Sequence, residues 1–419
     1  MLKYLPYTNT LEELALVFER NGALARQAAL DGQAGRELAR QVALKSRRKY
    51  GAFFTGSALA ARLVGRRALA GKVFDPAVGA GDLLLAAARQ LPLGGTLRST
   101  IALWSRRLAG LDLHDEFIRA AKARLVVLAR ARGEFEEEMT LAEVSAAFPF
   151  IRKGNAFKEE ALFRWADWIL VNPPFVKRKA PRKCLWAQGS VNSAGIFLEH
   201  LLVNVRPSTQ VLAVLPEVLR SGTRYRAWRQ RISGLASVGS VARIGLFDKV
   251  ADVDVFTVKL TRRKSVTESG KDWKLASNVG KRIGKAFTVN VGTVVPHRDD
   301  EEGAMRRYLD ARGAKAWQEL VRLPERRRYP GRVFSPPFVV IKRTSRPGDI
   351  YRATAAIVRG QKPVAVENHL IVCRPKDSTV AQCRELLAQL RSKRVNNWLN
   401  RSIRCRHLTV SSVASIPLA

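Results

Sequence analysis

Val73-Phe74-Asp75-Pro76-Ala77-Val78-Gly79-Ala80-Gly81-Asp82-Leu83-Leu84-Leu85 is the stretch on which the fold turns. A short apolar run leads into a glycine-spaced turn, and an alanine- and leucine-rich segment continues through Arg89. The pattern predicts a strand, a tight turn and a helix. Glycines there let backbone approach a ligand closely, and the helix start beyond them presents free N–H groups. The full G-x-G-x-x-G of a dinucleotide site is missing, and an acid, Asp75, ends the strand. A carboxylate at that place suits a ligand carrying positive charge rather than a pyrophosphate. The plain alternative is a strand-to-helix turn that holds nothing.

Downstream, the next strand-like segment ends at Gly110-Leu111-Asp112-Leu113-His114-Asp115. Asp112 lies within the apolar alternation and is expected at the sheet edge, where an acid meets ribose hydroxyls. Asp115 is expected to cap a helix over Glu116–Arg130. Ile151-Arg152-Lys153-Gly154-Asn155-Ala156-Phe157 repeats the theme of a polar residue after a glycine. Asn155 there reads equally as a contact to an adenine edge and as a turn residue.

The apolar run Trp168-Ile169-Leu170-Val171 then delivers Asn172-Pro173-Pro174-Phe175. The prolines fix φ at about −65° and remove two backbone donors, so their carbonyls are expected to face outward as acceptors. Asn172 adds a side-chain oxygen. Two acceptors suit a planar exocyclic NH2 group, and Phe175 offers a flat face for a heterocycle. Asn-Pro and Pro-Pro are also ordinary loop dipeptides. The weight rests on this motif and the glycine turn occurring together.

The series resembles the gamma-order DNA adenine-N6 methyltransferases of restriction–modification systems, a branch of the class I S-adenosylmethionine-dependent enzymes. The resemblance covers most of residues 47 to 260. Gly51-Ala52-Phe53-Phe54-Thr55 matches the cofactor segment that comes first in that family. The glycine turn, the ribose acid, the Asn155 turn and the Asn172 tetrapeptide follow in the family's order. Ile196-Phe197-Leu198-Glu199 and Val211–Leu219 resemble segments that support the core. The resemblance implies an S-adenosyl-L-methionine site built from Phe54, Thr55, Asp75, Pro76, Ala77, Gly79, Gly81, Asp112, Asn155, Ala156, Phe157 and Asn172. It implies a catalytic set of Asn172, Pro173, Pro174 and Phe175, with Phe175 and Phe247 on opposite faces of a flipped base. Two departures stand out: Thr55-Gly56 where the family commonly has Thr-Pro, and Asn155 where it commonly has Asp.

Charge agrees with a nucleic-acid partner. The 419 residues carry a formal net charge of +37, with a pI near 11.1. Such a surplus implies a polyanion or strong self-repulsion. Any one basic run is by default a solvated face. Lys177, Arg178, Lys179, Arg182 and Lys183 differ because they follow the Asn172 turn, where phosphates flanking an extruded base would lie. Arg328, Lys342, Arg343, Arg401, Arg404 and Arg406 are further candidates for contact with double-stranded DNA. No strongly basic amphipathic helix or long apolar span suggests a membrane. No signal-peptide pattern opens the chain, and the four cysteines are scattered. A reduced, cytoplasmic protein, held at the nucleoid through DNA, is the expectation. No metal is expected.

The expected architecture is α/β: a Rossmann-like core with a mostly parallel seven-stranded sheet, plus a smaller mixed α+β C-terminal domain. Residues 1–46 read as N-terminal helices, 47–265 as the methyltransferase domain and 266–419 as the target-recognition domain. Two other readings stay open. One is methyl transfer to an RNA base or a protein glutamine; the other is a non-catalytic DNA-binding subunit. A cognate restriction nuclease or specificity subunit is the partner that the resemblance implies.

Overall fold

The computed structural model describes residues 5–17, 23–65, 69–182, 184–247, 253–267, 281–346, 348–402 and 407–418. The chain divides into two compact units, residues 1–220 with 226–273, and residues 274–419 with 221–225. The break thus falls a few residues beyond the boundary expected at 266. The N-terminal helices belong to the first unit. Among them Leu5–Leu16 packs on the long helix Asp115–Gly133.

Seven strands form the first unit's sheet. β1 (Val73–Asp75), β2 (Leu108–Asp112) and β4 (Trp168–Val171) are short, apolar and largely buried, whereas β3 (Ile151–Lys153), at the sheet edge, buries only Ile151. That composition suits strands covered on both faces. The order runs β3-β2-β1-β4, followed by the strands Gln210–Pro216, Asp254–Arg262 and Ala236–Leu246. The first five are parallel, whereas Asp254–Arg262 runs antiparallel to both neighbours. The sheet is therefore mixed rather than parallel throughout, and its last two strands pair antiparallel with each other.

This order creates a switch point. From β1 the chain builds toward β2 on one side and toward β4 on the other, which leaves a crevice above the carboxyl ends of the strands. Asp75 ends β1, Asp112 ends β2, and Asn172 follows β4 directly. The helix after the glycine turn spans Asp82–Ala88 and is buried throughout, as its Leu and Ala content demands. Asp115 is the first residue of its helix, with His114 in the cap position and no side-chain cap bond, so the capping role expected of Asp115 is not observed. An acid in the first turn still meets the favourable end of the helix dipole.

In the second unit a five-stranded sheet is ordered Phe287–Val291, Leu370–Pro375, Phe338–Lys342, Ala355–Val358 and Glu319–Leu320. The helix Val380–Leu390 sends Cys383, Leu386 and Leu390 into a core shared with Ile341, Ile371 and Cys373. A three-stranded sheet joins Arg326–Arg328, Met305–Leu309 and Val364–Val366. The unit is α+β, with its strands followed by helices. Among the described residues no helix is long and apolar enough to cross a membrane.

Candidate active site

A cavity of about 460 Å³ opens above the carboxyl ends of β1, β2 and β4. That is within the usual range for a small-molecule site. Of the residues expected to hold a cofactor, Phe54, Thr55, Asp75, Pro76, Ala77, Gly79, Asp112, Asn155, Ala156, Phe157 and Asn172 line it. Gly81 does not; it precedes the helix Asp82–Ala88 at φ +88° and donates its N–H to the Val78 carbonyl at 2.9 Å. Tyr50, His114 and Phe117 complete an aromatic wall that sequence reasoning missed. Phe54 meets Phe117 edge to face at 5.0 Å, and Phe117 meets His114 at 5.2 Å. Their helical and turn spacing looks like ordinary core, so only the fold reveals the wall.

Two acids sit in the floor. Asp75 Oδ1 accepts the Ala77 N–H at 3.0 Å. Burial pushes the Asp75 carboxyl up to about 8, against that bond, with Asp112 and Asp82 adding to the rise. A buried carboxyl near two other acids holds its proton until a cation arrives. Asp112 accepts the Gly79 N–H at 3.1 Å and the His114 N–H at 3.0 Å. Burial raises its pKa too, and these amides oppose the rise. Asp112, which ends β2, is thereby tied to the glycine turn.

Asn155 shows the turn geometry: its Oδ1 accepts the Phe157 N–H at 3.0 Å and starts the short helix Ala156–Lys158. It also lines the cavity. With that oxygen occupied, the group left for a ligand is the amide NH2.

The Asn172 segment is pinned from the N-terminal side. A Cβ on Gly51, which holds φ +68°, would stand 2.6 Å from Pro174 Cβ, so only glycine permits this approach. Asn172 Nδ2 donates to Thr55 Oγ1 at 3.1 Å and reaches toward the Phe53 carbonyl at 3.5 Å. Asn172 Oδ1 is shielded from solvent and has no hydrogen-bond partner among the described residues. A buried acceptor without a donor is rare and points to a missing partner. The expectation that both proline carbonyls face outward fails for Pro174, whose carbonyl takes the Ser193 hydroxyl. Ser193 Oγ in turn accepts the Val176 N–H at 3.1 Å. Pro173 is buried and is not part of the cavity wall.

Phe175 and Phe247 meet each other edge to face, with centroids 5.7 Å apart and planes at 71°. Two plates that sandwich a base stand about 7 Å apart, twice the optimal contact distance. The slot expected between these rings is closed here. Residues 248–252 beyond Phe247 lie outside the described residues.

Of the basic candidates, Lys177, Arg178 and Lys179 form an exposed strand paired with Ser190–Asn192, and Arg178 and Lys179 reach the cavity rim. Arg182, Arg328 and Arg401 are exposed. Lys342 ends its strand half-buried. Arg343, another candidate DNA contact, is half-buried and donates to the Asn368 carbonyl at 2.7 Å. Lys183, Arg404 and Arg406 lie outside the described residues.

A second omission is Asp82. Its Oδ2 accepts the Gly56 N–H at 2.7 Å, and its Oδ1 pairs with Arg124 at 2.9 Å, both side chains being buried. An acid directly after the glycine turn was visible in the sequence, but Arg124 sits in mid-helix and carried no signal. Among the described residues there is no cluster of three or more metal-ligating side chains.

Fold and cavity together define an α/β protein with an acid-floored, aromatic-walled ligand site at a sheet switch point. Solved structures similar to the chain can be set beside the fold. The Type IIL restriction-modification enzyme MmeI, solved in complex with DNA, aligns with a TM-score of 0.57 at 12% identity, covering 92% of this chain and 70% of that one. The type IIG restriction endonuclease BpuSI aligns at 0.45 and 13% identity, over 91% of this chain and 60% of that one. The type I restriction enzyme EcoKI M protein aligns at 0.38 and 16% identity, over 62% of this chain and 60% of its own length. The chain thus spans three fifths of the EcoKI protein. The MmeI alignment shows a shared fold, the one that the sequence resemblance to restriction–modification methyltransferases implied. No protein-family profile and no curated protein sequence matches the chain.

Proposed function

We propose that this protein transfers a methyl group from S-adenosyl-L-methionine to the N6 amino group of adenine in double-stranded DNA. One observation carries the reading: Asn172, on the cavity wall, gives its NH2 to Thr55 and leaves Oδ1 without a donor among the described residues. An exocyclic amine supplies the donor that this oxygen lacks. An amine lone pair delocalised into a purine ring is a poor nucleophile. Accepting its hydrogens favours a more tetrahedral nitrogen and stabilises the positive charge that grows there. The Pro173 carbonyl, expected as the second acceptor, belongs to a buried residue off the cavity wall, so Asn172 Oδ1 is the acceptor on which the proposal rests.

The cavity fits the cofactor by the same tests. Asp112 suits ribose hydroxyls, Asp75 suits a cationic end, and the aromatic wall suits an adenine face. The Asn155 amide suits a ring nitrogen. S-adenosylmethionine, when bound, supplies an electrophilic methyl on a sulfonium. The protein's own share is positioning, which contributes much of the rate in such reactions. The target adenine must leave the duplex, at a cost of a few kcal/mol, and stacking on Phe175 and Phe247 offsets part of it.

Lys177, Arg178, Lys179 and Arg182 are proposed to hold flanking phosphates, and residues 266–419 to read the target, with Arg328, Lys342 and Arg401 as further contacts. A specificity subunit or nuclease partner belongs to the same proposal. Tritiated S-adenosylmethionine offered with duplex DNA, ribosomal RNA and release-factor protein tests it. Label in DNA, recovered as N6-methyladenine, is the expected result. Label only in RNA or protein overturns the substrate, and binding without transfer revives the non-catalytic reading.

A further inference from the structure

We infer that Thr55 is a positioning residue that holds the Asn172 amide in the sense the Phe53 carbonyl dictates, so that the site accepts an N–H donor and rejects a carbonyl. The inference rests on the methyltransferase reading for its chemistry and on the geometry alone for the positioning. An asparagine amide has nearly the same shape after a half-turn about its last bond, so its partners decide which end faces the ligand. Here Nδ2 has Thr55 Oγ1 at 3.1 Å and the Phe53 carbonyl at 3.5 Å, while Oδ1 has no partner among the described residues.

The two partners play different parts. The Phe53 carbonyl can only accept, so the reverse orientation would set oxygen against oxygen. It chooses the sense but is too distant to hold the group. The Thr55 hydroxyl is close enough to hold it. A hydroxyl that accepts from Asn172 also keeps its own proton for another acceptor in the cavity, which Thr55 lines. Thr55 is thus available to the cofactor and to Asn172 at once.

The segment that carries these partners is held from a distance. Gly56, next in sequence, donates its N–H to Asp82 Oδ2 at 2.7 Å. Asp82 is paired with Arg124 at 2.9 Å, and Arg124 Nε donates to the Ala29 carbonyl at 2.8 Å. Thr55 therefore hangs from a buried ion pair rather than from a loop free to drift. This bears on specificity. An amine at the acceptor end gains a hydrogen bond, whereas a keto oxygen there meets Oδ1 with no proton between them. Discrimination by an unpaired polar group is steep.

The test uses the full-length protein with Thr55→Val, which keeps shape and removes the hydroxyl, and Thr55→Ser, which restores it. In protein labelled with 15N-asparagine, the Asn172 NH2 signals are those that disappear in Asn172→Asp. Their hydrogen exchange is expected to be slow in wild type and Thr55→Ser and at least tenfold faster in Thr55→Val. In methyl transfer, Thr55→Val is expected to lower kcat by tenfold or more, a loss larger than any rise in cofactor KM, with Thr55→Ser near wild type. Unchanged exchange in Thr55→Val overturns the positioning role. So does a kcat equal to wild type, or a loss confined to KM. A wild-type protein that labels no substrate defeats the methyltransferase reading instead, and the exchange measurement still decides the role of Thr55.

Discussion

The Gly56 backbone N–H donates to the buried carboxylate of Asp82 at 2.7 Å, which ties the segment before the first strand to the helix after it. Gly56 does this at φ +75° and ψ 151°. Proline, usual at this place in the family that the sequence resembles, has no N–H and a φ of about −65°. The departure from Thr-Pro is therefore a change of mechanism, in which a hydrogen bond to Asp82 replaces a rigid ring. Gly56→Pro is expected to leave Asp82 short of a partner and to strain the turn, at about 1–3 kcal/mol. Thermal melts should show a lower Tm and calorimetry a weaker cofactor affinity. A proline variant with wild-type values for both would contradict this account.

Asn172→Ala removes the unpartnered acceptor while leaving the cavity walls in place. Methyl transfer is expected to fall by about 10²–10³, the usual loss for one preorganised transition-state interaction. Cofactor affinity by calorimetry should stay within a few-fold of wild type. A variant that loses binding and turnover together would mean that Asn172 serves the cofactor first.

The sheet and the order of its functional tips were legible because the three strands that carry them are short apolar runs, each ended or followed by one polar residue. Asp75, Asp112 and Asn172 could be placed at carboxyl ends from that pattern alone. What stayed hidden depends on distant pairing. Arg124 looks like any cation in a long helix until Asp82 and the Ala29 carbonyl close around it. Ser193 gave no sign that it would occupy the Pro174 carbonyl, since 19 residues separate them. Nor does sequence show that the Arg343 guanidinium finds the Asn368 carbonyl.

Electrostatics predicts a graded salt response. Each phosphate no longer neutralised by a cation lowers the slope of log K against log salt by about 0.9 in duplex DNA. Lys177, Arg178 and Lys179 are all exposed on one short strand. Replacing the three with alanine is expected to reduce the slope by roughly two to three, measured by fluorescence anisotropy across a salt series. An unchanged slope would move the phosphate-binding cations elsewhere on this basic protein.

The Asp75 carboxyl stands at about 8 in the fold, against an ordinary value of 3.8. Its proton is kept on folding, so its contribution to stability is whole below about pH 4 and is lost as pH rises through about 8. The unliganded protein should therefore lose stability over that window, and Asp75→Asn should flatten the trend. A cationic ligand reverses the balance by favouring the carboxylate. S-adenosylmethionine binding is expected to release up to about one proton below pH 8 and to tighten by up to tenfold per pH unit. Calorimetry in buffers of different ionisation enthalpy reads the proton directly. Binding with no proton exchanged would place the cation away from Asp75.

Phe175 and Phe247 hold each other in the structure, and a base between them must separate the rings. Stacking on each ring is worth about 1–3 kcal/mol, and the edge-to-face pairing given up is worth about 0.5–1.5 kcal/mol. Replacing either ring with alanine removes one stack but also the pairing, so each single variant loses less than a full stack. Replacing both removes two stacks and the pairing only once. The double variant should therefore weaken DNA binding by more than the sum of the singles, by about 0.5–1.5 kcal/mol. Dissociation constants for a substrate duplex, measured around this double-mutant cycle, give the coupling and its sign. Strict additivity would mean that the two rings do not close on each other in solution, and a deficit would mean that they do not share the same base.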